Sequence, residues 1–409
     1  MSHPLPFVID PAGADRYTEY RALRDRGPAT PVDVLGLRVW AVTDPALLRT
    51  LLTSPDVSKD GRLHYPAFQR TMETWPLALW IGVQNMFTAY GADHRRLRRM
   101  IAPAFSARRI AELRPTVQAM VTGLVDDLAA VPPGQVVDLR ERLAYPLPIA
   151  VIGHLMGVPE ERRNDFRQLV DNIFDSTLTP EQAQANTALL FETIERLIAD
   201  KRDNPGDDMT SLLIAARDEE SDGTGLTDAE LRDTMILMIS AGYETTVNVI
   251  DQAVFAMLTS PDQLHLVHEG RATWEDVVEE TLRAEPAVKY LPLRFAVTDI
   301  ELPGGQVIAA GDPILAAYGA ANRHPDWHGQ DADTFDVTRA AKDHLTFGYG
   351  VHFCLGAPLA RLEVAEALRQ LFARFPAMSL AAPADTLRPV PSLISNGHQE
   401  LPVRLRAAE

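Results

Sequence analysis

From Thr227 to Ser260 the chain carries apolar residues at helical spacing, beginning Leu231, Met235, Ile236, Met238 and Ile239. Thr227-Asp228-Ala229-Glu230 reads as a capping box, and Pro261 stops the run. Roughly 33 residues at about 1.5 Å each make a rod of about 50 Å, long enough to cross a whole domain. In its middle lies Ala241-Gly242-Tyr243-Glu244-Thr245-Thr246. A Thr inside a helix often only bonds back to the preceding turn. Here small residues beside an acid and a hydroxyl leave a local opening lined by groups that can pass protons. Helical periodicity also covers residues 15–26, 93–130, 160–175, 181–202, 273–285 and 358–375. Strand patterns are fewer, at 37–43, 293–302 and 306–317, and Asn396-Gly397 marks a hairpin. The spacing predicts a mainly α fold with a minor β region. No linker, repeat or low-complexity stretch interrupts it, so residues 1–409 read as one domain.

The single cysteine, Cys354, sits in Phe347-Gly348-Tyr349-Gly350-Val351-His352-Phe353-Cys354-Leu355-Gly356. One cysteine cannot form an internal disulfide or a four-thiolate metal site. Flanking glycines let the backbone turn sharply and approach something closely. The run from Ala357 to Leu368 then reads as a helix with Pro358 in its first turn. A thiol at a helix N-terminus has its thiolate stabilised by the dipole and by free N–H groups. The pattern Phe-x-x-Gly-x-x-x-Cys-x-Gly, carried by Phe347, Gly350, Cys354 and Gly356, resembles the haem-ligand loop of the cytochromes P-450.

Further segments carry the same resemblance. Ala241, Gly242, Glu244 and Thr245 are similar to the family's distal-helix motif, which implies that Glu244 and Thr245 are the acid–alcohol pair for oxygen activation. Glu280 and Arg283 share one helical face and resemble the family's Glu-x-x-Arg element, a structural lock behind the haem. Thr334 stands where the family often places the third partner, an arginine, which leaves Arg339 for that role. His94 and Arg98, four apart on one face, together with Arg294 and His352, match the family's partners for the haem propionates. Asn322-Arg323-His324-Pro325-Asp326 and the loop Asn204–Met209 are also family-like. The implied fold is the single-domain triangular prism of the cytochromes P-450, holding heme b. The implied activity is monooxygenation with electrons from NAD(P)H through a separate ferredoxin and ferredoxin reductase. No Gly-x-Gly-x-x-Gly fingerprint follows a strand, so the chain has no reductase module of its own. A non-catalytic haem sensor is the reading from another class, and nothing in Glu244-Thr245 favours it.

A net charge of −17 argues against nucleic acid as partner. No stretch reaches 18 uninterrupted apolar residues, and Met1–Val8 lacks a basic region before an apolar core, which together predict a cytoplasmic protein without a membrane segment. A monomer is expected. Arg95, Arg96, Arg99, Arg108 and Arg109 form a basic patch on this acidic chain, expected to steer an acidic ferredoxin. By family position the substrate pocket draws on Met86, Phe87, Met238, Val288 and Leu291, with Phe174 and Gln399 reaching in. Such a mostly apolar set suits a bulky lipophile, a steroid first and a macrolide-type product second.

Overall fold

The computed structural model describes residues 7–219 and 225–407; Met1–Pro6, part of the N-terminal reading, lies outside them. The long helix spans Asp228–Thr259 and begins in the expected capping box: the Thr227 hydroxyl accepts from the Glu230 N–H at 3.1 Å, and the Glu230 carboxylate accepts from the Thr227 N–H at 2.7 Å. It is buried on most of its faces because helices pack around it, chief among them Pro146–Met156, Pro180–Asp203, Trp274–Ala284 and Ala357–Arg374. Ala107–Ala129 lies against Ala357–Arg374 from outside.

A six-stranded sheet flanks this helical body, in the order Phe7–Val8, Ala29–Val34, Leu37–Val42, Pro313–Ala316, Leu291–Ala296, Val57–Ser58. The result is the mainly α fold with a minor β region that the periodicity predicts. Apolar side chains from both layers form the core, and no helix among the described residues is long and apolar enough to cross a membrane.

Three boundaries differ from the sequence reading. The expected helix over 93–130 is two, Gly91–Ile101 and Ala107–Ala129, joined by a 3₁₀ turn at Ala102–Phe105. Pro103, which lacks an N–H, sits in that break. The strand patterns at 293–302 and 306–317 each split, because Ile300–Glu301 leaves the main sheet to pair with Val307–Ile308. Gly304 and Gly305, at φ +95° and +83°, make that turn. Asn396-Gly397 is not a hairpin tip. Pro389 pairs with His398 and the reversal runs through 391–396. Gly397 instead rests against Asn248, where a Cβ would lie 2.1 Å from the amide oxygen.

Candidate active site

The loop before Ala357–Arg374 is held in a tight form by its glycines. Gly348 and Gly350 adopt φ +72° and +73°, and a Cβ on Gly350 would press to 2.8 Å from the Leu52 carbonyl oxygen. The Cys354 N–H donates to the Phe347 carbonyl at 2.9 Å, and the sulfur opens into a cavity. Burial raises the Cys354 thiol pKa, while the N–H groups of Gly356 and Ala357 and the nearby Arg98 and Arg361 draw it back down; the net shift is upward. Gly356 contributes its N–H rather than its lack of a side chain, since a Cβ there would make only ordinary contact with the sulfur at 3.8 Å.

Across the cavity the long helix presents Ala241, Gly242, Thr245 and Thr246. Ile152 explains Gly242, because a Cβ would lie 2.8 Å from its side chain. The Thr245 hydroxyl donates to the Ala241 carbonyl at 2.7 Å, so it keeps an acceptor lone pair toward the chamber. Met86, Phe87, Met238, Val288 and Leu291 form apolar walls.

One edge of the cavity is cationic. Arg98, Arg294 and His352 line it, and the buried His94 ring lies 4.1 Å from that of His352. Burial, with the charges of Arg98 and Arg294, lowers the His94 pKa to about 4; burial and Arg294 depress His352 further still. Both imidazoles are therefore neutral donors. His94 Nε2 and Arg294 Nε are buried without a protein partner. Buried polar atoms of this kind call for a partner. An apolar slot with a thiol on one face and donors seeking anions at one edge fits a haem. Cys354 would hold its iron, and Arg98, Arg294, His94 and His352 its propionates.

Glu244 does not face this chamber. Its side chain turns to a second, polar cavity, where Asn248 Nδ2 donates to it at 2.8 Å and the fully buried Arg140 lies 3.8 Å away. Burial raises the Glu244 pKa against the opposing pull of Arg140. Adjacent residues on a helix point about 100° apart, so Glu244 and Thr245 serve opposite cavities. Phe174 and Gln399 also line this second cavity and not the apolar one. Phe174 packs edge-on against Trp80, and Gln399 is tied to the Pro389 carbonyl at 3.0 Å.

Glu280 and Arg283 form a fully buried ion pair at 2.7 Å. Arg283 also donates to the carbonyls of Ala332 at 2.7 Å and Thr334 at 2.8 Å; Arg339 Nε stands 3.6 Å from Glu280. Thus Thr334 contributes its backbone where the side chain does not suit, and Arg339 reaches the carboxylate. The basic patch is smaller than expected. Arg96 is not a spare charge, for it binds Asp93, the Gly225 carbonyl and Glu230, pinning its helix to the start of the long one. Arg108 and Arg109 are exposed but share Glu112, while Arg95 and Arg99 point to solvent. Sequence reasoning missed Lys59, Tyr318 and Arg140. Each is brought to a cavity by packing between distant segments, which leaves no local signature.

A model of the cytochrome P450 family matches residues 19–392. The chain belongs to the cytochrome P450 family. It is 40% identical over 404 residues to a 2-hydroxy-5-methyl-1-naphthoate 7-hydroxylase of Streptomyces carzinostaticus, covering 98% of each chain. The structure of CYP154A1 from Streptomyces coelicolor A3(2) matches with TM-score 0.95 and 68% identity over 98% of this chain and 100% of that one. Testosterone-bound CYP154C4 from Streptomyces sp. ATCC 11861 matches with TM-score 0.94 and 38% identity over 99% of each. The chain is thus a P450 monooxygenase, of a family that binds haem iron.

Proposed function

We propose that residues 1–409 act as one haem-b monooxygenase domain that hydroxylates a C–H bond of a bulky, largely apolar polycycle, with steroids the favoured class. One observation carries this reading: Cys354 faces Ala241, Gly242 and Thr245 across a chamber walled by Met86, Phe87, Met238, Val288 and Leu291. The likeness to a naphthoate hydroxylase and to a testosterone-bound relative supports a fused-ring substrate. When bound, haem supplies the oxygen chemistry, and thiolate ligation favours O–O cleavage.

The protein's own part is orientation and protons. Cys354 ligates; Arg98, Arg294, His94 and His352 take the propionates; Phe347, Gly350 and Gly356 shape the ligand loop. Thr245 is the hydroxyl at the reaction centre. Glu244, on the polar cavity one residue away, accepts protons from water there and passes them toward Thr245 by turning its carboxyl. Glu280, Arg283 and Arg339 fix the backbone behind the ligand loop. Electrons arrive from a separate ferredoxin and its NAD(P)H-dependent reductase at the face bearing Arg95 and Arg99, the chain acting as a cytoplasmic monomer. The test is a spectral-shift screen of steroids, macrolides and fatty acids against the holoenzyme, followed by product analysis with a surrogate ferredoxin and reductase. Steroid binding followed by a hydroxylated product supports the reading; binding by none of the three classes, or NAD(P)H use without product, defeats it.

A further inference from the structure

Lys59 is an unexplained buried cation. It follows the short strand Val57–Ser58, is 2% exposed, and lines the chamber above Cys354. Its Nζ donates to the Pro292 carbonyl at 3.2 Å and lies 3.6 Å from the centre of the Phe87 ring. No carboxylate among the described residues forms an ion pair with it. An ammonium carries three donors, and a buried one without an anion is costly. The setting makes this worse, because Arg294 is its electrostatic neighbour; burial and then that charge hold the Lys59 pKa well below the usual lysine range.

The charge balance of the chamber says what Lys59 lacks. Lys59, Arg98 and Arg294 are the basic chains that line it. Glu363 is the only acid that lines it among the described residues, and burial raises its pKa well above the usual carboxylate range. A haem would bring two propionates to a chamber with three basic side chains. Phe87 and Pro292 place the unmatched cation where the propionate edge adjoins the apolar walls.

We propose that Lys59 is a carboxylate-binding residue, its ammonium taking either the acid group of an acidic substrate or a haem propionate. Geometry favours the substrate, because the two guanidiniums already match two propionates and Nζ sits over Phe87. Within the polycycles proposed above, the substrate class narrows to those bearing one carboxylate. The inference rests on reading the chamber as the haem and substrate site.

The test uses holoenzyme of wild type, Lys59→Met and Lys59→Gln, the second in case methionine impairs folding. One arm titrates 1-naphthoate and tetradecanoate, each against its methyl ester, by spectral shift. The other follows haem transfer to apomyoglobin and the ferric reduction potential. Loss of a charged hydrogen bond should cut the acid-over-ester preference about tenfold or more. That result with unchanged haem transfer identifies a substrate carboxylate. Several-fold faster haem loss and a shifted potential, with the acid-over-ester ratio unchanged, identify a propionate. If neither arm moves in either variant, the proposal is overturned. The wild-type carbon monoxide spectrum separates the two levels: without a thiolate signature the reading of the chamber fails first.

Discussion

Removing the Glu280 carboxylate should be among the most damaging single changes outside the ligand loop. The group is fully buried and accepts from Arg283 Nε at 2.8 Å, Arg283 Nη2 at 2.7 Å and the Asp336 N–H at 2.8 Å, with Arg339 Nε at 3.6 Å. Glu280→Ala therefore strands two guanidiniums and a backbone donor at once. Breaking one half of a buried pair costs roughly 3–5 kcal/mol. At about 2.1 cal/mol/K per residue, unfolding entropy for 409 residues is ~0.9 kcal/mol per degree, so the midpoint should fall by ~3–6 °C. Because Leu345 N–H donates to Asn322 Oδ1 at 2.8 Å and Thr346 to the Leu282 carbonyl at 2.5 Å, the damage should reach the Cys354 loop and lower haem content. Calorimetry and haem-to-protein ratio measure both. Glu279→Ala is the control. Its partly exposed contacts with Arg361 and His344 are each worth at most about 1 kcal/mol. A soluble Glu280→Ala protein with full haem and a midpoint within a degree of wild type would refute the reasoning.

Thr245→Ala should lower productive turnover by about 10²–10⁴ and divert reducing equivalents to peroxide, read as product per NAD(P)H. Unchanged coupling would remove Thr245 from the relay. Burial pushes the Glu285 carboxyl up, but Arg323 at 2.5 Å and Arg16 at 3.2 Å bring its pKa to about 2. Its folded pKa lies below the unfolded value of about 4.3, so this stability is present above pH ~4.3 and fades as pH falls through about 2. Denaturation of Glu285→Gln should accordingly lose part of the wild-type pH slope over that window, and identical slopes would count against the pairing. Reversing Arg95 and Arg99 to Glu should slow ferredoxin-driven reduction at low salt while leaving substrate spectral binding intact, the difference shrinking as the Debye length shortens to about 10 Å at 0.1 M. Equal rates across that range would place docking elsewhere.

What the sequence makes legible here is local chemistry. The long helix announces its start through the Thr227 capping box and its end through Pro261, and its bounds differ from the reading by one residue at each end. The ligand loop, Glu280–Arg283 and His94–Arg98 are short patterns whose geometry follows from helical spacing or from glycine. Arg96 shows the limit. In sequence it is one of a run of similar arginines, and only the approach of the long helix sets Glu230 against it. The second cavity was equally hidden, because Arg140, Asp171, Glu244 and Ser395 come from four separate parts of the chain. Phe174 and Gln399 line the polar cavity and not the apolar one for the same reason: family position locates the element but not which side of it opens inward. Lys59 gives no sign of its burial, for a lone lysine after a two-residue strand ordinarily lies on the surface.

The ligand assignment bears every other claim about the chamber, and the carbon monoxide difference spectrum of the reduced holoenzyme tests it most directly. The wild-type protein should show the long-wavelength band of a thiolate-ligated haem, and Cys354→His should bind haem yet lose that band. A Cys354→His protein that keeps the thiolate spectrum would contradict the account.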